Sequence, residues 1–127
     1  MLKVPVKLFG LIPLTVDVEL TITDDMAPTT GAYAYGRRAI FCRPRYADDK
    51  GILAHEVMHI QQAWANPWHG VMYRYLDAYR LWSEVKCYRE QATYYPDDRR
   101  RMFAGFIATD YRLDISEDAA FGLLCEG

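Results

Sequence analysis

The spacing of apolar residues changes period about half-way along the chain, and that change limits the fold more than any other feature. From Leu14 to Thr23 the alternation is strict. Val16, Val18, Leu20 and Ile22 fall on one side, and Asp17, Glu19, Thr21 and Thr23 on the other. This is the pattern of a strand with one face on a core and one in water. Leu2, Val4, Val6 and Leu8 alternate in the same way before it, and Gly10–Pro13 reads as the turn between the two. Asp24–Gly31 reads as a loop. A hairpin is expected next, with Ala32–Tyr35 as one arm, Gly36-Arg37 near the turn and Arg38–Arg43 as the other arm.

After that the period becomes helical. Asp48 or Asp49 can cap a helix that Asn66-Pro67 stops at about Ala65. A second, longer helix is expected from Val71 to about Tyr94, ending before Pro96. Asp97 or Asp98 can cap a third through about Ala108. Ser116, followed by Glu117 and Asp118, opens a last one through Leu124. Strands followed by helices predict an α+β fold rather than alternating β-α units. A chain of 127 residues without repeat, linker or low-complexity tract suits a single domain, 1–127.

Composition narrows the function classes. A formal charge of −2 argues against a general nucleic-acid binder, and Arg99–Arg101, the one tight basic run, reads as a solvated helix surface. No run is long enough to cross a membrane. Met1–Phe9 lacks the continuous apolar stretch and small-residue cleavage site of a secretory leader. The three cysteines, Cys42, Cys87 and Cys125, have no paired spacing. They are expected to be reduced packing residues in a cytoplasmic protein.

The segment that carries chemistry is Leu53-Ala54-His55-Glu56-Val57-Met58-His59-Ile60-Gln61-Gln62. On a helix, residues four apart share a face, so the His55 and His59 imidazoles can converge on one Zn²⁺. Glu56 can then reach the water on that metal without taking a ligand position, as a general base. Leu53, Val57, Ile60 and Trp64 form a separate apolar stripe. One side of the helix is therefore expected to meet the core while the histidines face a cleft. Gln62, one turn after His59, either orients a ligand or faces solvent.

A catalytic zinc of this kind needs a third protein ligand and an open position. Glu84, in Ser83-Glu84-Val85-Lys86-Cys87-Tyr88-Arg89-Glu90-Gln91, lies well inside the second long helix, which is expected to pack antiparallel to the first. It is the leading candidate, and His69, in the connection between the helices, is its rival. Tyr88, one turn after Glu84, is the candidate for stabilising an oxyanion. Tyr73, Asp77, Arg80 and Gln91 fall near the same strip and could hold a histidine or Glu84 in place.

The segments His55–Gln62 and Glu84–Gln91 resemble the two halves of the gluzincin metallopeptidases, in particular small one-domain bacterial and phage forms with His-Glu-x-x-His-x-x-Gln. The likeness runs from about Ile40 to Gln91, with a weaker echo in Tyr111–Ala119. It implies a zincin-like fold, zinc as cofactor, His55, His59 and Glu84 as ligands, and Glu56 as catalytic base. It also implies that Arg38–Arg43 is a strand lining the cleft, where an extended substrate could add. The stretch His69-Gly70-x-x-Tyr73 bears a fainter similarity to zincins whose third ligand is a histidine. The leading expectation is thus a zinc peptidase acting on a peptide or protein. The alternatives are a non-catalytic zinc module that binds a partner, for example through Gly31–Tyr35, and a zinc amidase acting on cell-wall bonds.

Overall fold

The structure, a computed structural model, describes residues 1–126. Four strands and five α-helices follow one another in the chain, strands first, as an α+β fold requires. The strands are β1 (Leu2–Leu8), β2 (Ile12–Ile22), β3 (Ala32–Tyr35) and β4 (Ala39–Cys42). The helices are α1 (Lys50–Ala65), α2 (His69–Tyr75), α3 (Asp77–Ala92), α4 (Arg100–Asp110) and α5 (Glu117–Cys125).

The sheet order is β1-β2-β4-β3. The β1–β2 and β3–β4 pairs are antiparallel, but β2 and β4 run parallel, with Leu20 opposite Ile40. The sheet is therefore mixed, where the sequence pointed only to antiparallel strands. The crossover depends on a tertiary clamp. Arg43 donates to the backbone oxygens of Asp24, Ala27 and Thr30 and to the Asp24 carboxylate, folding the loop before β3 across the end of the sheet. One consequence is that β4 is flanked on both sides. The expectation of an extended substrate adding to Arg38–Arg43 is corrected: the strand at that edge is β3.

The alternation of β2 holds in its middle. Val16 and Val18 are buried, with Val4, Val6, Ile40 and Ile60, while Leu14 and Ile22 at the ends are exposed. Helix α1 lays Leu53, Val57, Ile60 and Trp64 on this sheet cluster, as its apolar stripe requires. Its N-terminus is capped by Asp49, whose carboxylate accepts from the Ile52 N–H. Ser116 caps α5 in the same way through the Ala119 N–H. A second apolar cluster joins α3, α4 and α5 through Val85, Tyr88, Phe103, Ile107 and Leu124.

The long second helix expected over Val71–Tyr94 is two helices. Leu76 between them is extended (φ −115°, ψ 107°). Arg80 stabilises the break by donating to the carbonyls of Tyr73 and Arg74, which the end of α2 leaves without helical partners. The basic run Arg99–Arg101 is paired with Asp97, Asp98, Glu117 and Asp118. Among the described residues, no helix is long and apolar enough to cross a membrane.

Candidate metal centre

Helices α1 and α3 pack antiparallel, and their shared seam separates the two apolar clusters. Asp49 meets Tyr95, His55 meets Gln91 and Glu84, and Gln62 meets Ser83. The polar face of α1 is thus covered by α3 rather than open: His55, Glu56 and Gln62 are all buried. Polar groups persist in such a seam only when each finds a partner.

At its centre lies Glu84, 1% exposed. Its Oε1 is 3.1 Å from His55 Nε2, and its Oε2 is 3.0 Å from His59 Nε2. One carboxylate therefore faces both imidazoles through the same nitrogen of each ring. Two ligands of a tetrahedral zinc at about 2.0–2.1 Å lie roughly 3.3 Å apart, close to these separations. The electrostatics favour a shared cation as well. Burial opposes the Glu84 charge, but His59 and His55 outweigh it and hold the carboxyl well below its usual range. Burial likewise opposes a charged His59, but Glu84 outweighs it and raises the imidazole well above its ordinary value. The carboxylate and the imidazole thus stabilise each other's charged forms.

The surrounding groups fix the two imidazoles. His55 Nδ1 donates to Gln91 Oε1 at 3.0 Å, which leaves Nε2 as the nitrogen facing Glu84. Ser83 Oγ lies 3.4 Å from His59 Nδ1 and donates to Gln62 Oε1. Gln62 is accordingly an internal tie to α3, not a solvent-facing amide. Glu56 lies on the same helix beside the pair. Its pKa is raised, chiefly by burial, with the two histidines and, less, the nearby Ala34 N–H of β3 opposing.

Cys87 was expected only to pack, yet it lies at the site. Ligand atoms of His55, His59 and Cys87 all fall within 4.8 Å of one another, so these three could hold a metal ion. Burial pushes the Cys87 thiol up to about 11, so this ligand must give up a proton that Glu84 has already lost. A bound ion would itself displace that proton, so Glu84 and Cys87 both stand as candidates for the third ligand. The position of Cys87 one turn after Glu84 was the sequence signal. His69 shares a hydrogen bond of 2.7 Å with Tyr79 through Nδ1, and its ring centroid is 6.3 Å from that of His59. Burial lowers its pKa to about 4, so it is a neutral neighbour of the site.

Three tyrosines surround Glu84. Tyr73 donates its hydroxyl to Glu84 Oε2. Tyr88 packs its ring edge on His55 at 4.4 Å, and its hydroxyl is 2.7 Å from that of Tyr111. Burial raises all three phenols, and the Glu84 charge adds to the shift in each. Tyr111 was visible in the sequence only as the start of the weaker echo. Asp77 and Arg80, which share the strip, pair with each other and do not touch a ligand. An apolar groove between the β1–β2 hairpin and Met58, Ala65 and Trp82 is lined by none of His55, His59 and Glu84.

No family model matches the chain, and no curated protein or solved structure matches it significantly.

Proposed function

We propose that this chain is a zinc-dependent hydrolase that cleaves a peptide bond, with His55, His59 and Glu84 as ligands. The observation that carries the proposal is the meeting of both Nε2 atoms with one buried carboxylate, at 3.1 and 3.0 Å, while Glu56 stays outside that set. Zinc bound there would polarise a scissile carbonyl and lower the pKa of a water toward neutrality. Glu56 would take the water's proton at its carboxylate and pass it to the leaving amine. Tyr73 and Tyr88 would offer hydroxyl donors on the Glu84 side. An extended substrate segment would lie along β3, the edge strand nearest Glu56.

The second reading is a non-catalytic zinc module, favoured by one observation: Cys87 could close the site as a fourth protein ligand. Substitution of Glu56 separates the two. Glu56→Gln should retain zinc at the wild-type stoichiometry and lower peptide hydrolysis by roughly 10²–10⁴-fold. Zinc bound tightly with no turnover by the wild type on a peptide library would move the chain to the second reading. Turnover of cell-wall fragments alone would keep the hydrolase and change the substrate to a cell-wall amide.

A further inference from the structure

One guanidinium holds the main chain at two of the tyrosines that surround Glu84. Arg80 Nη1 donates to the Tyr73 carbonyl at 2.8 Å, and Arg80 Nε donates to the Tyr111 carbonyl at 2.9 Å. Nη2 donates to Asp77 Oδ1 at 2.6 Å, which fixes the plane of the fork. The Arg80 side chain is only 12% exposed, and its bonds to the Tyr73 and Tyr111 carbonyls are partly buried, whereas the Asp77 carboxylate lies at the surface. Tyr73 belongs to α2 and Tyr111 to the end of α4, and neither helix has another polar tie of this kind to the other. The residue after Tyr111, Arg112, sits at φ +57°, a left-handed conformation that is costly for a side-chain-bearing residue and must be imposed by its surroundings.

From this geometry we infer that Arg80 is a positioning residue: it sets the Tyr73 hydroxyl on Glu84 and, through Tyr111, the hydroxyl of Tyr88, whose ring packs on His55. The fork geometry matters, because Lys cannot serve two carbonyls and a carboxylate with fixed angles. The inference rests on the proposed zinc hydrolase for its kinetic consequence. Its geometric content does not depend on turnover.

The test uses Arg80→Ala and Arg80→Lys in the full chain, with zinc content, steady-state kinetics and the ¹³Cζ resonances of labelled tyrosines. Positioning predicts wild-type zinc stoichiometry and KM in Arg80→Ala, with kcat lowered by up to roughly 100-fold, less than the roughly 10²–10³-fold lost when an oxyanion donor is removed outright. The Tyr73, Tyr88 and Tyr111 resonances should move while those of Tyr33 and Tyr35 stay. Millimolar guanidinium should restore part of kcat, and Arg80→Lys should not. Should Arg80→Ala fail to fold, Asp77→Asn loosens the same fork from an exposed position and should give a smaller shift of the same resonances. Unmoved tyrosine resonances in a folded variant, or a loss of thermal stability with kcat unchanged, would overturn the inference. Failure of the hydrolase reading looks different: the wild type would lack zinc or turnover while the Arg80-dependent resonance shifts remained.

Discussion

Gln91 and His55 meet across the α1–α3 seam, and their contact runs on to the cap of α1. Gln91 Oε1 accepts from His55 Nδ1, Gln91 Nε2 donates to the Tyr95 hydroxyl, and Tyr95 donates to Asp49 Oδ1, which also caps the helix. A ligand's ring orientation is thus tied to the start of its own helix.

Breaking the first link should release the His55 ring. Gln91→Ala should weaken zinc binding by about 10–100-fold, as expected when the partner of a metal-bound histidine is removed. Competition with a fluorescent chelator measures it. An unchanged dissociation constant would mean that His55 is oriented by Tyr88 packing alone.

Glu84 and His69 make opposite predictions for a metal titration. Glu84 faces both Nε2 atoms, whereas His69 is engaged by Tyr79. Glu84→Ala should therefore abolish stoichiometric zinc binding, and His69→Ala should leave it nearly intact. Wild-type protein with zinc at about 100 times its dissociation constant should gain about 2.7 kcal/mol of stability, and Glu84→Ala should gain none. The reverse ranking would make His69 the third ligand.

The zinc-free protein should carry a pH signature of the same pair. Glu84 raises the His59 pKa above the ordinary 6.5, so the stabilisation from this pair is fully present below pH 6.5. It is lost as pH rises through the elevated folded value. Glu84 is depressed below its ordinary 4.5, so its contribution is present above pH 4.5 and fades as pH falls below it. Urea midpoints of the chelated protein should thus fall on the alkaline side. Added zinc should remove that slope, because it replaces the proton. A flat alkaline limb without zinc would count against the His59–Glu84 coupling.

What the sequence revealed followed from local rules. The α1 span and its Asp49 cap, the Ser116 cap and the His55–His59 pairing depend on residues within a turn or two of one another. Glu84 was reachable from the expected antiparallel packing of the two long helices, although α2 intervenes between α1 and α3. Leu76, Arg80 and Cys87 were not legible as they act here. The helix break at Leu76 is stabilised by a guanidinium that also binds a carbonyl on the far side of α4, and no local pattern encodes that. The parallel β2–β4 pair was hidden for the same reason, since Arg43 holds a loop that looks featureless in sequence. Cys87 reads as a packing residue when the cysteines are read by their own spacing, and only its place one turn after Glu84 on α3 points to the site. Tyr88 was placed on the correct face, but its hydroxyl engages Tyr111, a residue 23 positions away.

Gly51 tests whether the chain of bonds from Asp49 to His55 matters as a unit. It is buried in the first turn of α1, and a Cβ there would lie 2.5 Å from the Tyr95 hydroxyl oxygen and 2.6 Å from its Cζ. Gly51→Ala gains helix propensity of about 1 kcal/mol. It must also displace the Tyr95 ring, which breaks the bonds to Gln91 and Asp49 at once. Overpacking of this kind costs about 1–3 kcal/mol, so the net change should be destabilising. Zinc affinity should fall with it, since Gln91 loses the partner that orients its amide. Tyr95→Phe keeps the ring and removes only the hydroxyl. It should lower zinc affinity less than Gln91→Ala does, with little change in the urea midpoint. Should Gly51→Ala raise the midpoint and leave zinc affinity alone, Tyr95 would be a passive neighbour and His55 would take its orientation from Gln91 unaided.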